Sequence, residues 1–241
     1  MVVADSLSFY GPEGGVLLTD ARLYPNVAAA QLEASTGERW HADTVARIGW
    51  TARDAWWALT RDPWVYSVGL PRADVVLLAV GSMDALPASI PTYLREGIRY
   101  VRPAGLRATV RQGYHRTHPY VARALRGRVR VLPQSVTDHY LSRCVAGIRH
   151  FHPEVPILGV VPTPTYAASY GYVTAGEPAA QEAARSWGHR EGVSLVELPR
   201  LVAPSLAAGT ANPDGIHWNW DVHAAVGGEV ARMARQALGN R

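Results

Sequence analysis

Five strand-like stretches punctuate this chain, at residues 2–4, 39–48, 75–80, 155–161 and 193–198. The clearest, 75–80, has six apolar residues in a row, as a parallel strand needs when helices cover both of its faces. The run at 39–48 alternates imperfectly and predicts the second strand. Between these stretches the pattern changes to the longer period of amphipathic helices. Residues 26–36 predict a helix with Asn26 as N-cap and Gly37 as its stop. Thr51-Ala52-Arg53-Asp54 resembles a capping box, with Asp in the usual Glu or Gln place, and starts a helix carrying Trp56 and Trp57. Asp62-Pro63 signals another start. Further helices are predicted over 134–151, 178–191 and 222–238. Strands that alternate with helices and connect by right-handed crossovers predict one α/β domain over 1–241, a three-layer α/β/α sandwich on a central five-stranded, mostly parallel sheet.

One interval does not fit that economy. More than 70 residues separate the third and fourth strands, whereas a crossover needs about a dozen. The surplus, about 82–154, is helical in pattern, and Gly105, Gly113 and Pro119 are expected to break it into pieces. It is also where the charge collects. All 24 basic residues are arginine, and ten of them lie between Arg95 and Arg130 against the single acid Glu96. That segment carries +9, so the rest of the chain carries −5 against a total of +4. The surplus reads either as solvated helices packed on one face or as a lid or binding surface.

Composition narrows the class. A chain of 241 residues, 48% hydrophobic and 18% charged, can bury a sizeable core. The lone Cys144 excludes an intrachain disulfide framework, which fits a reducing compartment. It falls in the helical pattern of 134–151 and reads as a small packed residue. No apolar run approaches the roughly 18 residues of a membrane span, so a cytoplasmic location is expected. His115, His118, His150 and His152 form no H-x-x-E-H-like or Cys/His pattern, and Pro119 and Pro153 follow two of them, so no metal is expected. No nucleic-acid-binding motif accompanies the arginines either, and nucleic acid is not an expected partner.

The chemistry centres on Ala4-Asp5-Ser6-Leu7-Ser8-Phe9-Tyr10-Gly11. A serine at the carboxyl end of a buried parallel strand sits where open α/β sheets place their reactive groups. Its hydroxyl is a weak nucleophile until an imidazole takes its proton. Asn212-Pro213-Asp214-Gly215-Ile216-His217 supplies one, with a carboxylate three residues before the ring and able to orient it. His223 is a rival base, six residues beyond His217. Six of the eight tryptophans flank these stretches: Trp50, Trp56, Trp57 and Trp64, then Trp218 and Trp220. Large aromatics are core fillers by default, yet some of these are placed to line an acyl or sugar pocket.

These residues resemble the blocks of the SGNH (GDSL) hydrolases. Asp5-Ser6-Leu7 is similar to their Gly-Asp-Ser-Leu block, with Ala4 in place of glycine, and Asp214-Gly215-Ile216-His217 to their closing Asp-x-x-His. Gly49 is similar to the glycine whose amide helps form the oxyanion hole. Gly81-Ser82-Met83-Asp84 stands where the family has Gly-x-Asn-Asp, so Met83 replaces an asparagine donor. The resemblance implies a flavodoxin-like sheet, Ser6, His217 and Asp214 as a catalytic triad, and the Ser6 and Gly49 amides as the oxyanion hole. Ser82 would substitute for the missing donor through its hydroxyl, and Asp84 would cap the helix after it or hold its loop by hydrogen bonds. Asp5, Tyr10, Trp50, Ser82, Asp84 and Trp218 are further candidates for contact with substrate. Within the family, the length, the stretch Ala4 to Gly11 and the tryptophan-rich blocks resemble the mycobacterial diglucosylglycerate octanoyltransferases. That implies an octanoyl-CoA donor, a glucosylglycerate-type acceptor, no cofactor, and a place in methylglucose lipopolysaccharide synthesis. Two other readings stay open: a carboxylester hydrolase with water as acceptor, and a non-catalytic polyanion-binding protein.

Overall fold

A computed structural model describes residues 1–211 and 214–239; Asn212 and Pro213, just before Asp214, lie outside them. Among the described residues, five strands form one sheet: β1 (Val2–Ala4), β2 (Thr44–Ala46), β3 (Val76–Ala79), β4 (Ile157–Val160) and β5 (Ser194–Val196). Their order is β2-β1-β3-β4-β5 and every pairing is parallel. This is the doubly wound arrangement expected, with the order reversing at β1 and β3. A separate two-residue hairpin, Tyr10–Gly11 with Gly14–Gly15, follows β1.

The helices are α1 (Tyr24–Thr36), α2 (Ala52–Arg61), α3 (Ser82–Ala85), α4 (Thr92–Gly97), α5 (Ala104–Ala124), α6 (Gln134–Phe151), α7 (Glu177–Glu191), α8 (Leu198–Ala207) and α9 (Trp220–Gly239). Successive strand residues point to opposite faces, so each strand feeds two cores. Val3, Val76 and Leu78 pack with Leu59, Val145, Ile148 and Trp187 from α2, α6 and α7. Val2, Ala4 and Leu77 pack with Tyr24, Val202, Val222 and Val226 from α1, α8 and α9. Each side chain buried this way stabilises the fold by about 1.5–3 kcal/mol, which is why the strands read as unbroken apolar runs rather than alternations.

Several boundaries differ from the sequence expectation. The second strand is only Thr44–Ala46, at the sheet edge, where partial exposure relaxes the need for an apolar run. The first helix starts two residues early, with Leu23 at its N-cap and Pro25 in its first turn. Asn26 instead donates to the Leu18 and Asp20 carbonyls, holding the preceding loop. Gly37 does stop that helix, in the left-handed region at φ +74°. The Thr51/Asp54 capping box forms reciprocally, and α6 spans the stretch expected. Glycine and proline do not break α5, which runs 21 residues through Gly113 and Pro119. The chain breaks later, at 125–133, where Arg126 and Gly127 take positive φ. Helix α8 was not foreseen, because two prolines mask its period; Pro199 sits harmlessly in its first turn. Among the described residues no helix is long and apolar enough to cross a membrane.

Candidate active site

Ser6 leaves β1 two residues after Ala4, which is in register with Ala46 of β2 on one side and Ala79 of β3 on the other. The loops beginning at Asp5, Arg47 and Val80 therefore emerge together at the carboxyl edge of the sheet. Asp5 caps the short turn Ser6–Ser8 by accepting from the Leu7 amide at 3.0 Å. Neither the Ser6 nor the Gly49 amide is engaged by another described residue. Gly49 is the third residue of a turn closed by the Trp50 amide on the Arg47 carbonyl, at φ +71°, where a side chain would be strained.

The partner loop joins α8 to α9. Asp214 accepts from the amides of Ile216 at 2.9 Å and His217 at 3.0 Å through one oxygen. Its other oxygen lies 2.5 Å from His217 Nδ1. His217 Nε2 lies 3.0 Å from Ser6 Oγ. Gly215 makes this loop, because a Cβ there would sit 2.1 Å from the Tyr166 carbonyl oxygen. Tyr166 in turn donates its amide to the Gly215 carbonyl at 3.0 Å, tying the segment after β4 to the same loop. Partial burial opposes ionisation of Asp214, but the His217 ring and the two amides outweigh it and lower the carboxyl to about 2. An anionic Asp214 fixes the proton on Nδ1 and leaves Nε2 free to accept from the serine.

Further contacts that the sequence did not disclose hold the imidazole. The Tyr10 ring stacks on it, centroids 4.2 Å apart and planes 24° apart. The Tyr10 carbonyl accepts from His223 Nε2 at 2.9 Å, and His223 Nδ1 accepts from the Tyr24 amide at 3.2 Å. The rival histidine is thus fully spent on backbone. Its burial lowers its pKa to about 4, and it serves the hairpin carrying Tyr10 rather than Ser6. No sequence signal links residues 10, 24 and 223.

The remaining candidates divide by exposure. Asp5, Asp84 and Trp218 are 2–3% exposed and present no face to a substrate. Trp218 belongs to the α1/α9 core. Asp84 does not cap the helix after it but reaches back to α2, accepting from the Ala52 amide at 3.1 Å and from Thr137 Oγ1 at 3.0 Å. It therefore fixes where α2 begins, three residues past Gly49. Met83 packs against Leu86, Ala88 and Val131, anchoring the helical surplus where the family's asparagine would stand. Ser82 Oγ accepts from the Thr163 amide at 3.1 Å, which leaves its own proton free to donate. Trp50 is partly buried beside Gly49. The arginine segment splits in two. Arg123 and Arg130 brace the Gly171 and Gly176 carbonyls, whereas Arg95 and Arg99 face a groove described below. Cys144 is fully buried and its thiol is pushed up by desolvation. Among the described residues no three His, Cys, Asp or Glu side chains gather as a metal would require.

Burial raises Asp84 to about 7 from an ordinary 3.8, against the opposing bonds from Thr137 and Ala52. Because the folded state holds that proton more tightly, the contribution is full below pH 4 and is lost as pH rises through about 7. Asp84→Asn keeps an acceptor without the charge. Urea unfolding should therefore show the variant gaining on the wild type between pH 5 and pH 8. A constant difference across that range would exclude a raised Asp84 pKa.

No family model matches the chain. Two curated proteins do: it is 42% identical over 226 residues to the diglucosylglycerate octanoyltransferase of Mycolicibacterium hassiacum, covering 94% of this chain and 90% of that protein. It is 41% identical to the protein of the same name from Mycobacterium tuberculosis, covering 94% and 87%. Among solved structures, a lipase/acylhydrolase from Enterococcus faecalis superposes with a TM-score of 0.63 at 13% identity, over 99% of this chain and 95% of that one. That distant likeness speaks for the fold alone, and the fold is that of the SGNH hydrolases. With identity above 40% along nearly its whole length, the chain belongs to the diglucosylglycerate octanoyltransferase family, enzymes of acyl-ester chemistry on the SGNH scaffold.

Proposed function

We propose that the protein is a serine-dependent acyltransferase that moves an octanoyl group from octanoyl-CoA to a sugar hydroxyl of diglucosylglycerate. The observation that carries this reading is the unbroken line Ser6 Oγ, His217 Nε2, His217 Nδ1, Asp214. In the first half-reaction Nε2 takes the Ser6 proton while Oγ attacks the thioester carbonyl. The C–S bond breaks and the thiol leaves with the proton held on Nε2, so an octanoyl ester remains on Ser6. In the second half, the acceptor hydroxyl gives its proton to Nε2 and its oxygen attacks that ester. The bond to Oγ breaks and Ser6 regains the proton. Asp214 keeps the Nδ1 proton in place throughout and stabilises the imidazolium. The Ser6 and Gly49 amides receive the negative oxygen of each tetrahedral intermediate, each worth about 3–4 kcal/mol.

The names of the two curated relatives support the donor group and the acceptor. The test is CoA release from octanoyl-CoA by purified protein, with and without diglucosylglycerate. Release that requires the glycoside, with octanoyl ester appearing on it, is expected. Release at the same rate in its absence would identify a hydrolase with water as acceptor.

A further inference from the structure

Between the loop of Gly49, helix α2 and helix α4 lies a groove of about 730 Å³, a size that suits a bound small molecule. Its outer walls carry four guanidiniums: Arg47 before Gly49, Arg61 at the end of α2, and Arg95 and Arg99 from the start of the arginine segment. None of the four is in an ion pair among the described residues. The three carboxylates that share the groove are already engaged. Asp54 accepts from the Thr51 amide and hydroxyl, Asp62 from the Trp64 amide, and Glu96 pairs with Arg53. That last pair also ties α4 to α2 and so sets the width of the groove.

Indole rings hold two of the cations. The Arg61 guanidinium carbon lies 4.7 Å from the Trp57 ring centroid, and that of Arg47 lies 5.9 Å from the Trp50 ring. A cation–π contact of this kind consumes no N–H donor, so the guanidinium keeps its hydrogen bonds for an anion. Four unpaired, partly preorganised forks around one groove are more than a single carboxylate can use. They match a ligand with several phosphate groups, which guanidinium binds in bidentate fashion. One end of the groove is at Gly49, whose loop leaves the sheet beside Ser6 because Ala46 and Ala4 are in register.

We propose that this groove is a phosphate-binding site for a nucleotide, with Arg47, Arg61, Arg95 and Arg99 as its anion ligands. Resting on the acyltransferase reading above, it seats the nucleotide end of the CoA thioester while the acyl end reaches Ser6. The start of the arginine segment, Arg95 and Arg99, thereby belongs to the donor site rather than to a solvated face.

The test begins with binding alone, followed by tryptophan fluorescence, using adenosine 3′,5′-bisphosphate as the probe and glycerate as the comparison. Saturable quenching by the bisphosphate and none by glycerate at equal concentration is expected. Arg61→Gln/Arg99→Gln should weaken it at least tenfold, and Arg47→Gln/Arg95→Gln provides a second, independent pair should the first fold poorly. In turnover, either pair should raise KM for octanoyl-CoA at least tenfold. With the octanoyl thioester of N-acetylcysteamine, which lacks the nucleotide, rates should stay within about twofold of the wild type. Undiminished bisphosphate binding by both folded pairs would overturn the proposal, as would a rise confined to KM for diglucosylglycerate. Failure of the site and failure of the acyltransferase reading are distinguishable. A hydrolase would still bind the bisphosphate through these arginines, and a transferase without this site would still octanoylate the glycoside.

Discussion

Replacing Ser6 by alanine is expected to lower kcat by about 10⁶-fold while the fold is retained. Losses near that size follow when the nucleophile of a preorganised triad is removed, because the covalent route closes altogether. The substitution is sterically mild. It deletes one oxygen whose partner is His217 Nε2, and the Asp5 cap on Leu7 and the Ser8 bond to the Asp5 carbonyl remain. Intact mass after incubation with octanoyl-CoA reads the chemistry directly: the wild type should gain one octanoyl group and Ser6→Ala none. An adduct of equal size on both proteins would place the ester elsewhere, and full activity in the variant would end the serine mechanism.

The second large effect is expected from Asp214→Asn, a fall in kcat of about 10⁴-fold at neutral pH. The carboxylate now receives the Nδ1 proton and two amides. An asparagine oxygen can still accept from the amides. Its NH₂ group, turned toward the ring, donates to Nδ1 and forces the imidazole proton onto Nε2, where it blocks acceptance from Ser6. The loss is therefore one of tautomer rather than of structure, and melting temperature should move by only a few degrees. Hydroxide in part replaces the missing base, so activity of the variant should recover toward high pH. A loss of less than tenfold across the pH range would show that Asp214 does not set the tautomer.

What could be read from the chain in advance follows a physical pattern. The strand at 75–80 was plain because both of its faces are covered, so every position had to be apolar. The approach of Asp214 to His217 is legible because the two are close in sequence and their spacing suits one turn of chain. What stayed hidden depends on approach between distant segments. Asp84 looked like a local cap until the fold brought Ala52 and Thr137 to it. His223 looked like a second base until Tyr24 and Tyr10 occupied both of its nitrogens. Trp218 and Trp56 look alike as tryptophans beside a motif, yet one fills the core and the other lies under Arg143. Helix α5 defeated the glycine and proline rules because those rules weigh local cost. Here packing against the segment around Tyr170 compensates, with Gly171 pressed against the Pro119 carbonyl.

The sequence separation of 211 between Ser6 and His217 has a consequence for how the protein is made. Strand β1 is made before the other four, yet it lies inside the sheet and must wait for both β2 and β3 before its edges are paired. The loop bearing His217 is made only after all five strands and is followed by α9, which packs on α1. Until then the nascent chain carries Ser6 without the imidazole that stands 3.0 Å from it in the folded protein. The contact between them is thus a product of the completed fold rather than of any one segment.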